Sequence, residues 1–243
     1  MLKTLLSEQI QTAYYAGERL LDLVAPPRCI NCLVEGVWLC RKCDEIWPFY
    51  AQRCLVCEKE RVRGITCDTC FKKTPIAGLV SVGHYQFPAL RRGVRWLKFK
   101  GVRPIAPTLA TLLASRLIFM APLEELSRQA LIVPMPLHVW RLRRRGFNQS
   151  EDLAQALSAL TGITSLPLLK RHRSTFAQSK LPTDLRTKNV HQAFALEQPI
   201  PPVVKTIILL DDVATTGSTL TAAAEALRPH FERVIWAATI ARG

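Results

Sequence analysis

Apolar runs of strand length alternate with stretches of helical periodicity along most of this chain. The clearest run is Ile207, Ile208, Leu209 and Leu210, which ends in two acids, Asp211 and Asp212. Small hydroxyl residues and one glycine follow as Thr215, Thr216, Gly217, Ser218 and Thr219, and then LTAAAEAL, a sequence that favours helix. This order predicts a buried strand, a tight loop and a helix start. It returns at 130–136, where ALIVPMP reads as a buried strand ending in prolines. An arginine-rich loop, 141–145, comes next, and Gly146 turns the chain. Asn148 or Ser150 caps a helix running to Leu160, with Glu151 and Asp152 in its first turn. Earlier, 79–87 reads as a strand. Residues 89–101 read as a helix with Leu90, Val94 and Leu97 on one stripe, and 105–120 as a buried helix. Residues 166–169 and 233–240 read as further strands, and 193–196 leads toward the central one. From residue 130 onward the alternation predicts an α/β domain with a mostly parallel sheet.

Residues 1–27 have the spacing of an amphipathic helix, closed by Pro26 and Pro27. Residues 28–73 break the pattern. They hold four CxxC pairs: Cys29/Cys32, Cys40/Cys43, Cys54/Cys57 and Cys67/Cys70, separated by seven, ten and nine residues. Two residues between cysteines let both thiolates of a knuckle face one ion, and two knuckles complete a tetrahedral site. Eight cysteines therefore predict two structural zinc sites with no coordination position open for water. Sequential pairing needs the shortest loops and is favoured by closure entropy; nested and interleaved pairings stay open. Residues 74–78 form a turn-rich linker, so the expected organisation is an N-terminal helix (1–27), a double zinc ribbon (28–73) and an α/β domain (79–243).

Charge changes the picture again. The 243-residue chain carries a formal +14, and residues 74–243 hold 22 Lys and Arg against ten Asp and Glu. That excess predicts an anionic partner. Arg91, Arg92, Arg95, Lys98, Lys100 and Arg103 accompany Trp96 and Phe99 without an intervening acid. Such a helix could follow a single-stranded nucleic-acid backbone and stack its bases. The polar, basic stretch 170–189 has the length and charge of a lid over an anionic substrate. No run of about 18 apolar residues predicts a membrane span. The first 27 residues lack the apolar core of a secretory signal. The expected compartment is the cytoplasm, where clustered cysteines bind metal rather than each other.

The chemistry concentrates at 206–219. A loop entering a helix aims backbone N–H groups and the positive helix end at one point, which suits a phosphate. The neighbouring carboxylates accept hydrogen bonds from vicinal sugar hydroxyls. Together these features predict a site for a phosphorylated ribose. A receiver-domain acid pocket is the rival reading of Asp211-Asp212, but such a pair belongs early in its domain and without TTGST behind it.

ILLDDVATTGST resembles the PRPP-binding motif of type I phosphoribosyltransferases. Over residues 28–243 the chain resembles the ComF family of competence and DNA-utilisation proteins, including its GntX-like members. The resemblance rests on the CxxC ribbon, on VPMPLHVWRLRRRGFNQ, on Arg173, Thr175, Gln178, Arg186, Asn189 and Phe194, and on LLDDVATTGST. It implies a type I phosphoribosyltransferase-like sheet flanked by helices. It also implies that Asp211 and Asp212 bind the ribose 2- and 3-hydroxyls, that Thr215 to Thr219 cradle the 5-phosphate, and that Arg144 or Arg145 faces pyrophosphate. Magnesium would accompany PRPP. The implied setting is DNA uptake or utilisation, with a helicase or processing protein as partner. Two readings follow: transfer of phosphoribose to an unnamed acceptor, or a non-catalytic module that binds single-stranded DNA and a partner under control of PRPP or a nucleotide. No general base stands out among His138, His172 and His191.

Overall fold

The computed structural model describes residues 26–172 and 193–243. The predicted helix at 1–27, nearly all of the 170–189 segment, and His191 lie outside the described residues. The chain divides into two compact units, residues 1–47 and 48–243.

In the first unit, Cys29 and Cys32 sit in a tight turn in which the Leu33 amide bonds to the Cys29 carbonyl at 3.0 Å. Cys40 and Cys43 frame the start of a short helix, α1 (Arg41–Glu45). Arg28 and Glu35 pair across the turn at 2.6 Å; both are exposed, so the pair contributes little.

The second unit begins with the other cysteine knuckles, the second of which opens α2 (Asp68–Phe71). It continues through β1 (Gly78–His84), α3 (Pro88–Lys100), α4 (Ala106–Leu117), α5 (Leu123–Gln129) and β2 (Ala130–Pro134). Then come α6 (Val139–Arg145), α7 (Gln149–Thr161), β3 (Thr164–Ser165), β4 (Leu169–Arg171), β5 (Phe194–Leu196), β6 (Thr206–Ala214), α8 (Ser218–Leu227) and β7 (Val234–Arg242). Five strands form one sheet in the order β1-β7-β6-β2-β3. Every pairing in it is parallel. The predicted mostly parallel sheet flanked by helices is therefore present. β4 and β5 make a separate antiparallel pair.

A parallel sheet covered on both faces needs strands that are apolar throughout. Ile207, Ile208, Leu209 and Leu210 are all fully buried. The pleat sends Ile207 and Leu209 to the face where α8 packs, in one core with Leu220, Ala223 and Leu227. Ala222, Ala223 and Ala224 let that helix approach closely. Each buried Leu or Ile contributes about 1.5–3 kcal/mol.

Three expectations change in the structure. The arginines at 141–145 lie on a helix, not in a loop; α6 ends at Gly146, whose φ of 80° closes it. The strand carrying Asp211 and Asp212 does not stop at them, because Asp211 pairs with Thr239 and Val213 with Ala241. The last strand runs past Ile240 and brings Arg242 into the sheet. Helix α5 was not anticipated at all.

Candidate functional site: a cavity at the ends of β2 and β6

The strand order reverses between β2 and β6, and open α/β sheets bind ligands beyond the carboxyl ends of strands at such a point. A cavity of about 440 Å³ lies there. Asp211, Asp212, Arg145, Thr215 and Thr219 all line it, with Arg141 beside them. Thr216, Gly217 and Ser218 form the adjoining loop without lining the cavity. Arg144 lines a neighbouring cavity instead.

The two acids differ. Asp211 Oδ1 accepts from Ser150 Oγ at 3.0 Å and from the Asp212 amide at 2.9 Å. Burial, and then the Asp212 charge, push its carboxyl up to about 7 against the opposing pull of Lys98. Asp212 is buried and faces Lys98: Nζ donates to Oδ1 at 3.1 Å and stands 2.9 Å from Oδ2. The ammonium therefore bridges both oxygens of this carboxylate. Two carboxylates on one cavity, one of them held by a lysine that a ligand can displace, fit ligand hydroxyls or a hydrated divalent cation.

The loop after β6 is built to offer donors. Gly217 has φ of 74°, which a side chain would strain, and it opens α8. Thr216 Oγ1 bonds to Ser218 Oγ at 3.0 Å. Thr215, Thr216 and Ser218 are exposed, and the first-turn amides of α8 have no intrahelical partners.

The opposite wall is cationic. Arg145 is hydrogen-bonded to Gln149; burial lowers its guanidinium from the ordinary value, and Asp212 opposes that shift. Arg171, buried and stacked 5.5 Å over Phe194, also lines the cavity. Asn148, buried, caps α7 by accepting from the Ser150 amide at 3.1 Å. That cap sets Ser150 against Asp211. His138 caps α6 through Nδ1, and His172 is exposed outside the cavity.

The sequence does not assign Lys98, Ser150, Gln149 and Arg171 to this cavity: Lys98 reads as part of the basic helix, Ser150 as a cap and Arg171 as part of the 170–189 stretch. Two of them carried a signal. Lys98 continues the buried Leu90–Val94 stripe at four-residue spacing. Arg171 shares the inward face of β4 with Leu169. A charge on a stripe that periodicity assigns to the core marks a site.

Beside this cavity lies another of about 590 Å³ that shares Lys98, Phe99, Arg141 and Arg145 with it. Its walls include two exposed aromatics, Phe99 and Trp140, and the half-buried Phe147, each under a guanidinium group. Arg144 lies 5.5 Å over Trp140, Arg145 lies 5.9 Å over Phe99, and Arg103 lies 5.6 Å over Phe147.

The cysteines group as Cys29, Cys32, Cys40 and Cys43, and as Cys54, Cys57, Cys67 and Cys70, with the sulfurs of each group within 4.8 Å of one another. This is the sequential pairing. Burial opposes ionisation of Cys29, but the amides of Cys40, Cys32 and Asn31 outweigh it and bring the thiol down to about 6. Cys54 is brought to about 6 in the same way by the amides of Cys57, Cys67 and Val56. Arg61 Nε adds a bond to Cys67 Sγ at 3.0 Å. All-sulfur sets with N–H···S support can hold zinc, which cross-links the knuckles and leaves no coordination position for catalysis.

No family model matches the chain. Curated relatives do. It is 33% identical over 212 residues to the DNA utilization protein YhgH of Escherichia coli K12, covering 84% of this chain and 92% of that one. It is 32% identical over 207 residues to Competence protein F of Haemophilus influenzae, covering 82% and 83%. The YhgH protein of Salmonella typhimurium is 37% identical over 165 residues, covering 67% and 71%. No helix among the described residues is long and apolar enough to cross a membrane.

Proposed function

The chain belongs to the ComF family of competence and DNA-utilisation proteins, and on that premise we propose that it binds PRPP and serves DNA uptake or utilisation. The observation that carries the reading is the cavity itself, which Asp211 and Asp212 line together with Lys98 and Arg145 beside a hydroxyl-rich helix start. Ribose hydroxyls would donate to Asp212 and Asp211. The 5-phosphate would take the amides and hydroxyls of Thr215 to Thr219, and pyrophosphate would face Lys98, Arg141 and Arg145. The acid pair also suits the magnesium that PRPP brings, which would offset pyrophosphate charge.

Transfer would break the bond from C1 to the pyrophosphate oxygen and join C1 to an acceptor atom, which gives up a proton. The protein's part is positioning and charge stabilisation as positive charge develops on the sugar. Lys98 would leave Asp212 for the pyrophosphate when the hydroxyls arrive, so the same carboxylate is never left uncompensated. A pyrophosphate-release screen with PRPP and magnesium, run across bases, amines and DNA ends, tests for turnover; the Asp211→Asn, Asp212→Asn double variant is the blank. Release equal to the blank with every acceptor would restrict the protein to binding.

A second reading has its own observation. Phe99 and Trp140 are 69% and 51% exposed, each beneath an arginine. Exposed rings in a basic cleft are what single-stranded DNA stacks on. Binding of a short oligonucleotide should weaken steeply with salt; a flat salt response would remove this reading.

A further inference from the structure

The two cysteine sites share the CxxC knuckle but sit in different surroundings. Leu55, inside the Cys54–Cys57 knuckle, is fully buried in the core that also holds Leu220 and Ala223 of α8. Its side chain lies against Gly217, where an added Cβ would come within 2.5 Å of Leu55 Cδ1 and 2.8 Å of Cγ. Gly217 is therefore needed twice, for its φ and for this approach. Arg242, 3% exposed at the end of β7, ties the same parts together. Its Nη2 donates to the Leu55 carbonyl at 2.9 Å and to Glu58 Oε1 at 2.9 Å, while Nη1 donates to the Thr215 carbonyl. Thr74 Oγ1, just past the last cysteine knuckle, meets Thr221 Oγ1 of α8 at 2.9 Å.

We infer that the second cysteine site is a working part of the phosphate loop: Leu55 and Arg242 are positioning residues, and metal at Cys54, Cys57, Cys67 and Cys70 holds the loop in its anion-binding shape. The physical route is short. Metal bonds to Cys54 and Cys57 fix the turn between them, in which the Glu58 amide closes on the Cys54 carbonyl at 3.1 Å. That turn sets both the Leu55 side chain and the two acceptors that orient the Arg242 guanidinium. Arg242 then holds the Thr215 carbonyl, which keeps the following amides turned toward the cavity. Without the metal, Leu55 would leave the floor beneath Gly217, and Arg242 would lose two of its partners. The first cysteine site belongs to the other compact unit and has no part in this brace. The ligand half of the inference rests on the phosphate reading of the loop; the conformational half does not.

Cys32 and Cys57 are both exposed, so Cys32→Ser and Cys57→Ser weaken one metal site each without opening a core. The zinc-loaded full chain and both variants would be compared by zinc content, by hydrogen exchange of residues 214–221, and by calorimetry with ribose 5-phosphate and with pyrophosphate. Cys57→Ser should speed exchange at Gly217 to Thr221 and raise the ribose 5-phosphate Kd about tenfold, as small misplacements of binding groups do, with pyrophosphate unaffected. Cys32→Ser should leave the exchange as in the parent. Arg242→Lys, which keeps charge but loses the fork, should reproduce the Cys57→Ser pattern at full zinc content. Unchanged loop exchange in a zinc-depleted Cys57→Ser protein overturns the inference. Failure of the parent chain to bind ribose 5-phosphate overturns the phosphate reading instead, and the exchange data still decide the brace.

Discussion

Two neighbouring strand–helix junctions flank one cavity, and they solve opposite problems. At the end of β6 the chain supplies acids and then a loop of hydroxyls and amides, fixed from beneath by Leu55 and Arg242. At the end of β2 it supplies a helix with no buried residue, α6, which puts Arg141 and Arg145 on the cavity and Arg144 on its aromatic neighbour. The first junction is partly buried, and on the proposed reading it is chemically exacting, because hydroxyls and a monoester would have to be met at set angles. The second offers charge on long side chains, which suits the diffuse negative charge of a pyrophosphate or a nucleic-acid backbone. Lys98 stands between them and in this structure belongs to the acid side.

The sharpest way to break this division is to disable one side at a time. At pH 8, above the Asp211 titration, the Asp211→Asn, Asp212→Asn double variant should weaken ribose 5-phosphate by about 100-fold, the scale of two lost hydrogen bonds to charged acceptors, while pyrophosphate binds as well or better because two negative charges are gone. Arg145→Ala should do the reverse, weakening pyrophosphate and PRPP by about tenfold with little change for ribose 5-phosphate. Calorimetry with the three ligands checks both. If the two variants weaken all three ligands alike, the two walls do not have separate tasks.

Stability offers an intermediate effect. Because burial raises the Asp211 carboxyl to about 7, the unfolded chain ionises near pH 4 while the folded one keeps its proton. Native stability should therefore fall as pH rises from about 4 to 7 and then level. Asp211→Asn keeps the bonds from Ser150 and the Asp212 amide but removes the charge, so it should stabilise the protein by on the order of 2 kcal/mol at pH 8. Urea unfolding of the variant and parent at pH 4 and pH 8 measures this; a variant less stable at pH 8 contradicts the assignment. At the aromatic cleft, Trp140→Ala should weaken a short single-stranded oligonucleotide by about 1 kcal/mol, the low end for one base unstacked, and leave ribose 5-phosphate untouched.

How much of this was legible in the sequence follows the same division. The β6 junction was readable because its backbone demands show in the residue types: an apolar run, paired acids, a glycine and small hydroxyls in a fixed order. The β2 junction was half readable. Four arginines near a strand end point to anions, yet the short α6 reads as a loop, since seven residues, four of them arginine and none buried, carry no helical stripe. Lys98 and Arg171 are legible only as members of basic stretches, the 91–103 helix and the 170–189 segment, and Arg242 lies beyond the strand expected to end at Ile240. Local periodicity cannot say which distant carboxylate or carbonyl awaits each. The Leu55–Gly217 contact joins residues far apart in sequence and leaves no local trace except the glycine itself. The cysteine pairing was legible because spacing and loop-closure entropy agree.

On the proposed reading, Asp212 and the loop behind it hold the ribose 5-phosphate of PRPP. The most direct test of that reading is calorimetric titration of the zinc-loaded chain with PRPP and magnesium, in parent and Asp212→Asn forms. Saturable binding in the parent that weakens by about tenfold or more in the variant is the predicted result. Equal affinity in the two proteins, or no binding in the parent, would contradict it.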